Sequence, residues 1–189
     1  MKTNCLRIKK IIKITPNNVI TIVRAIPFTC KELEKIITNI KFRNGTTFWR
    51  AISECQQLSE QFIEKYKDKV SWYDISRYQK LPEPFIEKHK DKVDWCEISW
   101  CQQLSEQFIE KYKDKVNWYD ISRYQKLSGQ FIEKHKDKVD WDNVSRYQNL
   151  SVEFVIEHMD KITEDIFDNP CYKSYPDSLK LLLKQKFNE

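Results

Sequence analysis

The apolar positions of the chain recur with a step of 23 residues. Trp49, Trp72, Trp95, Trp118 and Trp141 keep this step. So do Phe62, Phe85, Phe108, Phe131 and Phe154, and Leu58, Leu81, Leu104, Leu127 and Leu150. Such self-similarity marks a repeat architecture. It divides residues 48–162 into five units, 48–70, 71–93, 94–116, 117–139 and 140–162. The second and fourth units differ at four of 23 positions, and so do the first and third. A 46-residue pair therefore reads as having been duplicated.

Each unit predicts two short helices. Ser71, Asp94, Asn117 or Asp140 opens the first. Asp74, Glu97, Asp120 or Asn143 follows three places later, which is the spacing of a reciprocal capping box. Trp72, Ile75 and Tyr78, at three-residue steps, are expected on one apolar face. Ser59, Ser105, Ser128 or Ser151 opens the second helix. In the second unit Pro82 stands there and Pro84 lies in the first turn, where a missing amide costs little. Phe62, Ile63, Tyr66 and Val70 form the second apolar stripe, with Glu64, Lys65, Lys67 and Lys69 opposite. A strand reading fails, because FIEKYKDKV does not alternate. Helices of roughly eight to ten residues are not stable alone. They must bury their stripes against neighbouring units. The expected fold class is all-α, an α-solenoid of tandem 23-residue two-helix repeats with degenerate terminal caps.

The expected organisation has three parts. Residues 1–47 form a basic N-terminal cap built as a degenerate helical repeat. Residues 48–162 are the five regular units, and 163–189 are a C-terminal capping repeat. Asn18 is placed to cap a helix through Val19, Ile22 and Ala25, and Thr29 one through Leu33, Ile36 and Ile37. Gly45 closes this part. The first dozen residues stay open between strand, helix and arm. Near the C-terminus, Tyr175-Pro176-Asp177-Ser178-Leu179 aligns with Leu81-Pro82-Glu83-Pro84-Phe85 after a small insertion at Cys171–Ser174. Leu179, Leu182 and Leu183 give the last helix its apolar face.

Composition narrows the function. Two glycines in 189 residues argue against Gly-rich phosphate loops. No apolar run reaches the roughly 18 residues of a membrane span, so no membrane partner is expected. The charged N-terminal stretch makes a poor signal peptide. Six cysteines include no CxxC pair, and no His stands at ligand spacing from a Cys pair. Thiols in a reducing compartment are expected, with no metal and no cofactor. Residues 1–45 carry ten Lys/Arg against two Glu, and the remainder 23 against 26 acids. That asymmetry admits an anionic partner at the N-terminal end.

The unit LSEQFIEKYKDKVNWYDISRYQKL resembles a short tandem repeat abundant in proteins of Mimivirus-like giant viruses of amoebae. The resemblance covers residues 48–162. It implies a viral helical-repeat protein in the host cytoplasm or the virion, and it carries over no catalytic motif.

Several recurring polar residues could be mistaken for catalytic groups: Ser53 and its equivalents, Gln56 and its equivalents, Asp68 and its equivalents. A fivefold recurrence at equivalent places points instead to side chains that satisfy backbone groups between units. The Asp is expected either at the start of the next helix or on a neighbouring Lys. His89, His135 and His158 alternate with Tyr66 and Tyr112, as half-buried packing residues with a polar tip. The chain is read as no enzyme.

The positions that vary point outward. The third place of the unit is Arg50, Tyr73, Cys96, Tyr119 and Asp142. The seventh, four residues on along the same face, is Glu54, Arg77, Trp100, Arg123 and Arg146. Trp100 either projects from the surface or folds down over its own helix or a neighbour. Exposed aromatic and Arg groups are typical interface anchors. The leading expectation is a non-enzymatic scaffold binding another protein, viral or host, through Tyr73, Arg77, Cys96, Trp100, Tyr119, Arg123 and Arg146. The alternative is a nucleic-acid partner held by the basic N-terminal segment and the Arg/Tyr row. Near-identical units also permit self-association.

Overall fold

The computed structural model describes residues 13–40 and 45–188. Residues 1–12, whose conformation the sequence left open, lie outside them. Among the described residues there are thirteen α-helices, two short 3-10 helices and no strand. The fold is all-α, a helical-repeat solenoid. Contacts divide the chain into Met1–Glu97 and Ile98–Glu189, and each is described by itself.

In Met1–Glu97, helices Val19–Ala25 and Cys30–Asn39 precede the regular units. Thr29 caps the second of these with a complete capping box, its hydroxyl accepting from Glu32 N–H while Glu32 accepts from Thr29 N–H. Asn18 does not cap the first. Its Oδ1 instead accepts from Thr15 N–H at 2.8 Å, and Ala25 is exposed rather than on the apolar face. Successive first helices then pack on one another, Val19–Ala25 on Gly45–Cys55 and Gly45–Cys55 on Trp72–Tyr78. Gly45 begins a helix rather than ending a segment.

In Ile98–Glu189 the same stacking joins Trp118–Tyr124 to Trp141–Tyr147, and that helix to the 3-10 turn Glu164–Asp168. The 3-10 turn Tyr172–Ser174 takes up the inserted residues, and Pro176 precedes helix Asp177–Phe187. Leu179 and Leu183 are buried, but Leu182, expected on the same apolar face, is exposed.

In each of the two parts the repeat core is built on β-branched residues. Ile52, Ile75, Ile98, Ile121 and Val144 sit at the fifth place of the unit, and Ile63, Ile86, Ile109, Ile132 and Val155 at the sixteenth. All are at most 1% exposed. Burying each contributes about 1.5–3 kcal/mol, which offsets the poor intrinsic stability of short helices.

Most of those helices are shorter than the pattern suggests. The second helices run six residues, as in Glu60–Lys65, and the first run seven, as in Trp72–Tyr78, except Gly45–Cys55, which runs eleven. The backbone leaves the helix at Tyr66, where Lys69 and Val70 N–H both donate to the Tyr66 carbonyl in a closing turn. The Lys-Asp-Lys triplet lies in that turn, and Val70 is buried beyond it.

Tyr78 departs from its expected place. It is 48% exposed, whereas Ile75 is fully buried. Steps of three fall short of a full turn by about 60° each, so two steps rotate Tyr78 away from the core.

Candidate interaction surface

The recurring polar residues hold successive units together. Gln79 Nε2 donates to the carbonyls of Ser53 and Gln56, both at 2.8 Å, and its Oε1 accepts from Leu58 N–H at 3.0 Å. Gln125 does the same with Ser99, Gln102 and Leu104, and Gln148 with Ser122, Gln125 and Leu127. The carbonyls belong to the last turn of the preceding first helix, where no intrahelical donor remains. Each Gln is thus a C-terminal cap supplied by the next unit. Asn169 serves the end of the array, donating to Ser145 and Gln148 carbonyls at 2.6 and 2.9 Å.

The serine at the sixth place is equally occupied. Ser76 Oγ donates to the Trp72 carbonyl at 2.7 Å and accepts from Asp94 N–H at 2.9 Å. Ser53, Ser99, Ser122 and Ser145 accept from Ser71, Asn117, Asp140 and Thr163 N–H in the same way. This corrects the expected reciprocal capping boxes of the regular units. The Ncap side chain does accept, as Ser71 does from Asp74 N–H. The Ncap amide, however, is already bonded to the preceding serine. The acid at the fourth place turns to an arginine of the preceding unit, Asp74 to Arg50 at 3.4 Å and Glu97 to Arg77 at 3.5 Å.

The histidines are buried, not half-buried. His89, His135 and His158 are 6 to 7% exposed and pack against Trp72, Trp118 and Trp141. Each faces a glutamate of the preceding unit. His135 Nε2 lies 2.7 Å from Glu110, and His158 Nε2 contacts Glu133. His89 Nε2 lies 2.9 Å from Glu64.

These glutamates collect cations. Lys88 and Lys67 hold the Glu64 carboxyl down at about 2, and Lys134, then His135, do so for Glu110. Burial lowers the pKa of His89. For His158 burial acts downward too, but the bonds to Glu133 and to the Phe154 carbonyl leave the net shift upward. Asp68 and Asp114 take the second of the two roles open to them, pairing with Lys92 and Lys138 at 2.8 Å.

The variable positions lie outward. Tyr73, Cys96, Trp100 and Tyr119 are exposed, and Arg77, Arg123 and Arg146 are half-buried. In Met1–Glu97, Arg77 donates to the Tyr73 hydroxyl at 2.8 Å and lies 5.4 Å from the Tyr78 ring.

In Ile98–Glu189 the aromatic and cationic groups form a continuous strip. Trp100 is 40% exposed. Its ring centroid lies 6.0 Å from that of Tyr124. Trp100 therefore combines the two alternatives, projecting to solvent while leaning on the next unit. Arg123 lies 5.2 Å from the Tyr124 ring and 5.1 Å from the Tyr147 ring, and reaches the Tyr119 hydroxyl at 3.4 Å. Arg146 stands apart, held by Asp165 at 2.5 Å and Asp168 at 2.7 Å. Tyr124 and Tyr147 belong to this surface and Tyr78 is exposed within Met1–Glu97, although the sequence pattern assigned their position to the core. Their signal was the cysteine at the same place in the other units, Cys55 and Cys101, both exposed.

The described cysteines, Cys30, Cys55, Cys96, Cys101 and Cys171, are thiols. Among the described residues no three His, Cys, Asp or Glu side chains gather as a metal site, and no helix is long and apolar enough to cross a membrane. No protein-family model, curated protein or solved structure matches the chain.

Proposed function

We propose that the chain is a non-enzymatic helical-repeat scaffold that binds another protein through the outward aromatic and arginine side chains of its first helices. The observation that carries this reading is the strip Trp100–Tyr124–Arg123–Tyr147. Trp, Tyr and Arg are the residue types that dominate binding energy at interfaces. Here rings and guanidinium already lean on one another, so less rotamer freedom is lost on binding. The recurring Ser, Gln and His groups are engaged in the framework, which supports a binding role over a catalytic one. The resemblance of the repeat to those of giant-virus proteins supports a partner met in the cytoplasm or virions of infected amoebae.

Nucleic acid is the second reading, favoured by the ten Lys/Arg of residues 1–45. Affinity capture from infected-cell lysate, with and without nuclease, separates the two. The scaffold reading expects a protein that survives nuclease and is lost with Trp100→Ala/Tyr147→Ala. Recovery that requires intact nucleic acid overturns it.

A further inference from the structure

The strip contains a cation that the fold does not neutralise. Arg24 lies 3.8 Å from Glu54, Arg50 3.4 Å from Asp74, Arg77 3.5 Å from Glu97 and Arg146 2.5 Å from Asp165. Arg123 has no such carboxylate among the described residues. Its contacts are the Tyr119 hydroxyl and the rings of Tyr124 and Tyr147.

The repeat shows what is missing. Asp74 and Glu97 occupy the fourth place of the unit that follows Arg50 and Arg77. After Arg123 that place holds Asn143. Asn143 is 5% exposed, and its Nδ2 has no hydrogen-bond partner. A carboxylate there would accept from the preceding arginine, whereas a neutral amide supplies no charge and brings donors of its own. One joint of the array has therefore lost its acid and kept its cation.

Resting on the scaffold reading above, the geometry points to Arg123 as the receptor for a carboxylate presented by an acidic peptide segment of the partner, flanked by Trp100, Tyr124 and Tyr147. A guanidinium lying over aromatic rings keeps its N–H edge available for a planar, two-pronged acceptor. The adjoining surface cleft of about 720 Å³ is lined by Arg123, Tyr124, Tyr147 and Lys126, but also by Glu106. That balance suits one negative side chain rather than a polyanion. Residues 98–189 carry 14 Lys/Arg against 16 Asp/Glu, which disfavours the dense charge of a nucleic acid.

The test selects random 12-residue peptides, displayed on phage, against the full chain. The winners are then measured as synthetic peptides. The inference expects Asp or Glu at a fixed place in the winners, and affinity that falls about tenfold to a hundredfold when that acid becomes Asn or Gln. Arg123→Gln should weaken binding as much. Asn143→Glu should do likewise by supplying the internal acid, with the thermal midpoint unchanged or raised. Winners that need Trp100 but no acid leave the scaffold reading standing and overturn this one. So does full affinity in Asn143→Glu. Absence of any selected peptide counts against both. A 12-nucleotide single strand that binds more tightly than the peptides, and needs Arg123, moves the site to nucleic acid.

Discussion

Gln148 caps the helix Trp118–Tyr124, its Nε2 donating to the carbonyl of Gln125 just past the helix end at 2.9 Å. Gln125 in turn caps the helix Trp95–Cys101, donating to the Gln102 carbonyl at 2.8 Å. Neither side chain touches solvent to any extent. Helices of seven residues cannot end in a dry interior with open carbonyls. The glutamine settles this from outside the helix, so each unit depends on the next.

Gln125→Ala should therefore be among the most damaging single substitutions. It strands Leu104 N–H and the carbonyls of Ser99 and Gln102. With some water entry, a loss of about 3 kcal/mol is expected, read as a lower urea midpoint. A loss below about 0.5 kcal/mol would mean the ladder is dispensable.

Ser122→Ala removes the acceptor for Asp140 N–H, which lies at 2.9 Å. The hydroxyl is fully buried, so no water is at hand to replace it. About 1–2 kcal/mol should be lost. Amide hydrogen exchange should accelerate at Asp140 first. Unchanged exchange there would show that the serine only fills space.

Acid should weaken the joints in a defined window. Glu64 and Glu110 have folded-state pKa values depressed to about 2, by Lys88 and by Lys134 respectively. A depressed carboxyl favours the folded state above its unfolded pKa. That contribution is lost as pH falls from about 4.5 towards 2. Urea midpoints should drop across this range, and less steeply in Glu110→Gln. His158, shifted upward, contributes oppositely: its stabilisation is present below the ordinary His value and lost as pH rises through the folded value. His89, shifted downward, partly cancels it. A flat profile between pH 5 and 2 would contradict the role given to the glutamates.

Tyr175 reports on the C-terminal cap. Its hydroxyl donates to the Leu150 carbonyl at 3.0 Å, and burial pushes its pKa up to about 12. Ultraviolet titration should leave one tyrosine un-ionised until about pH 12 or until the cap opens. In Tyr175→Phe that phase should vanish, with about 1 kcal/mol lost.

Much of this was legible in the sequence because the unit repeats. The serine caps at Ser59, Ser105, Ser128 and Ser151 fall where the pattern puts them. The structural use of Ser76 and Gln79 could be inferred from recurrence alone. Their partners could not, since the bonds reach back 21 to 26 residues into another unit. The capping-box reading failed at Asp74 for the same reason: a serine 18 residues earlier takes the amide that Asp74 would have met. Tyr78 and Tyr124 were misplaced because a three-residue step imitates a helix face over one turn and drifts off it over two. Arg123 could be read as outward, but its lack of an acid becomes visible only once Arg77 is seen on Glu97.

The proposed function rests on the exposed strip, rather than the framework, holding the partner. The most direct measurement is the dissociation constant of the captured protein for the wild-type chain and for Trp100→Ala/Tyr147→Ala, with urea midpoints as the control for folding. Binding by the double variant should be weaker by about a hundredfold at an unchanged midpoint. Equal affinity in the two chains would contradict it.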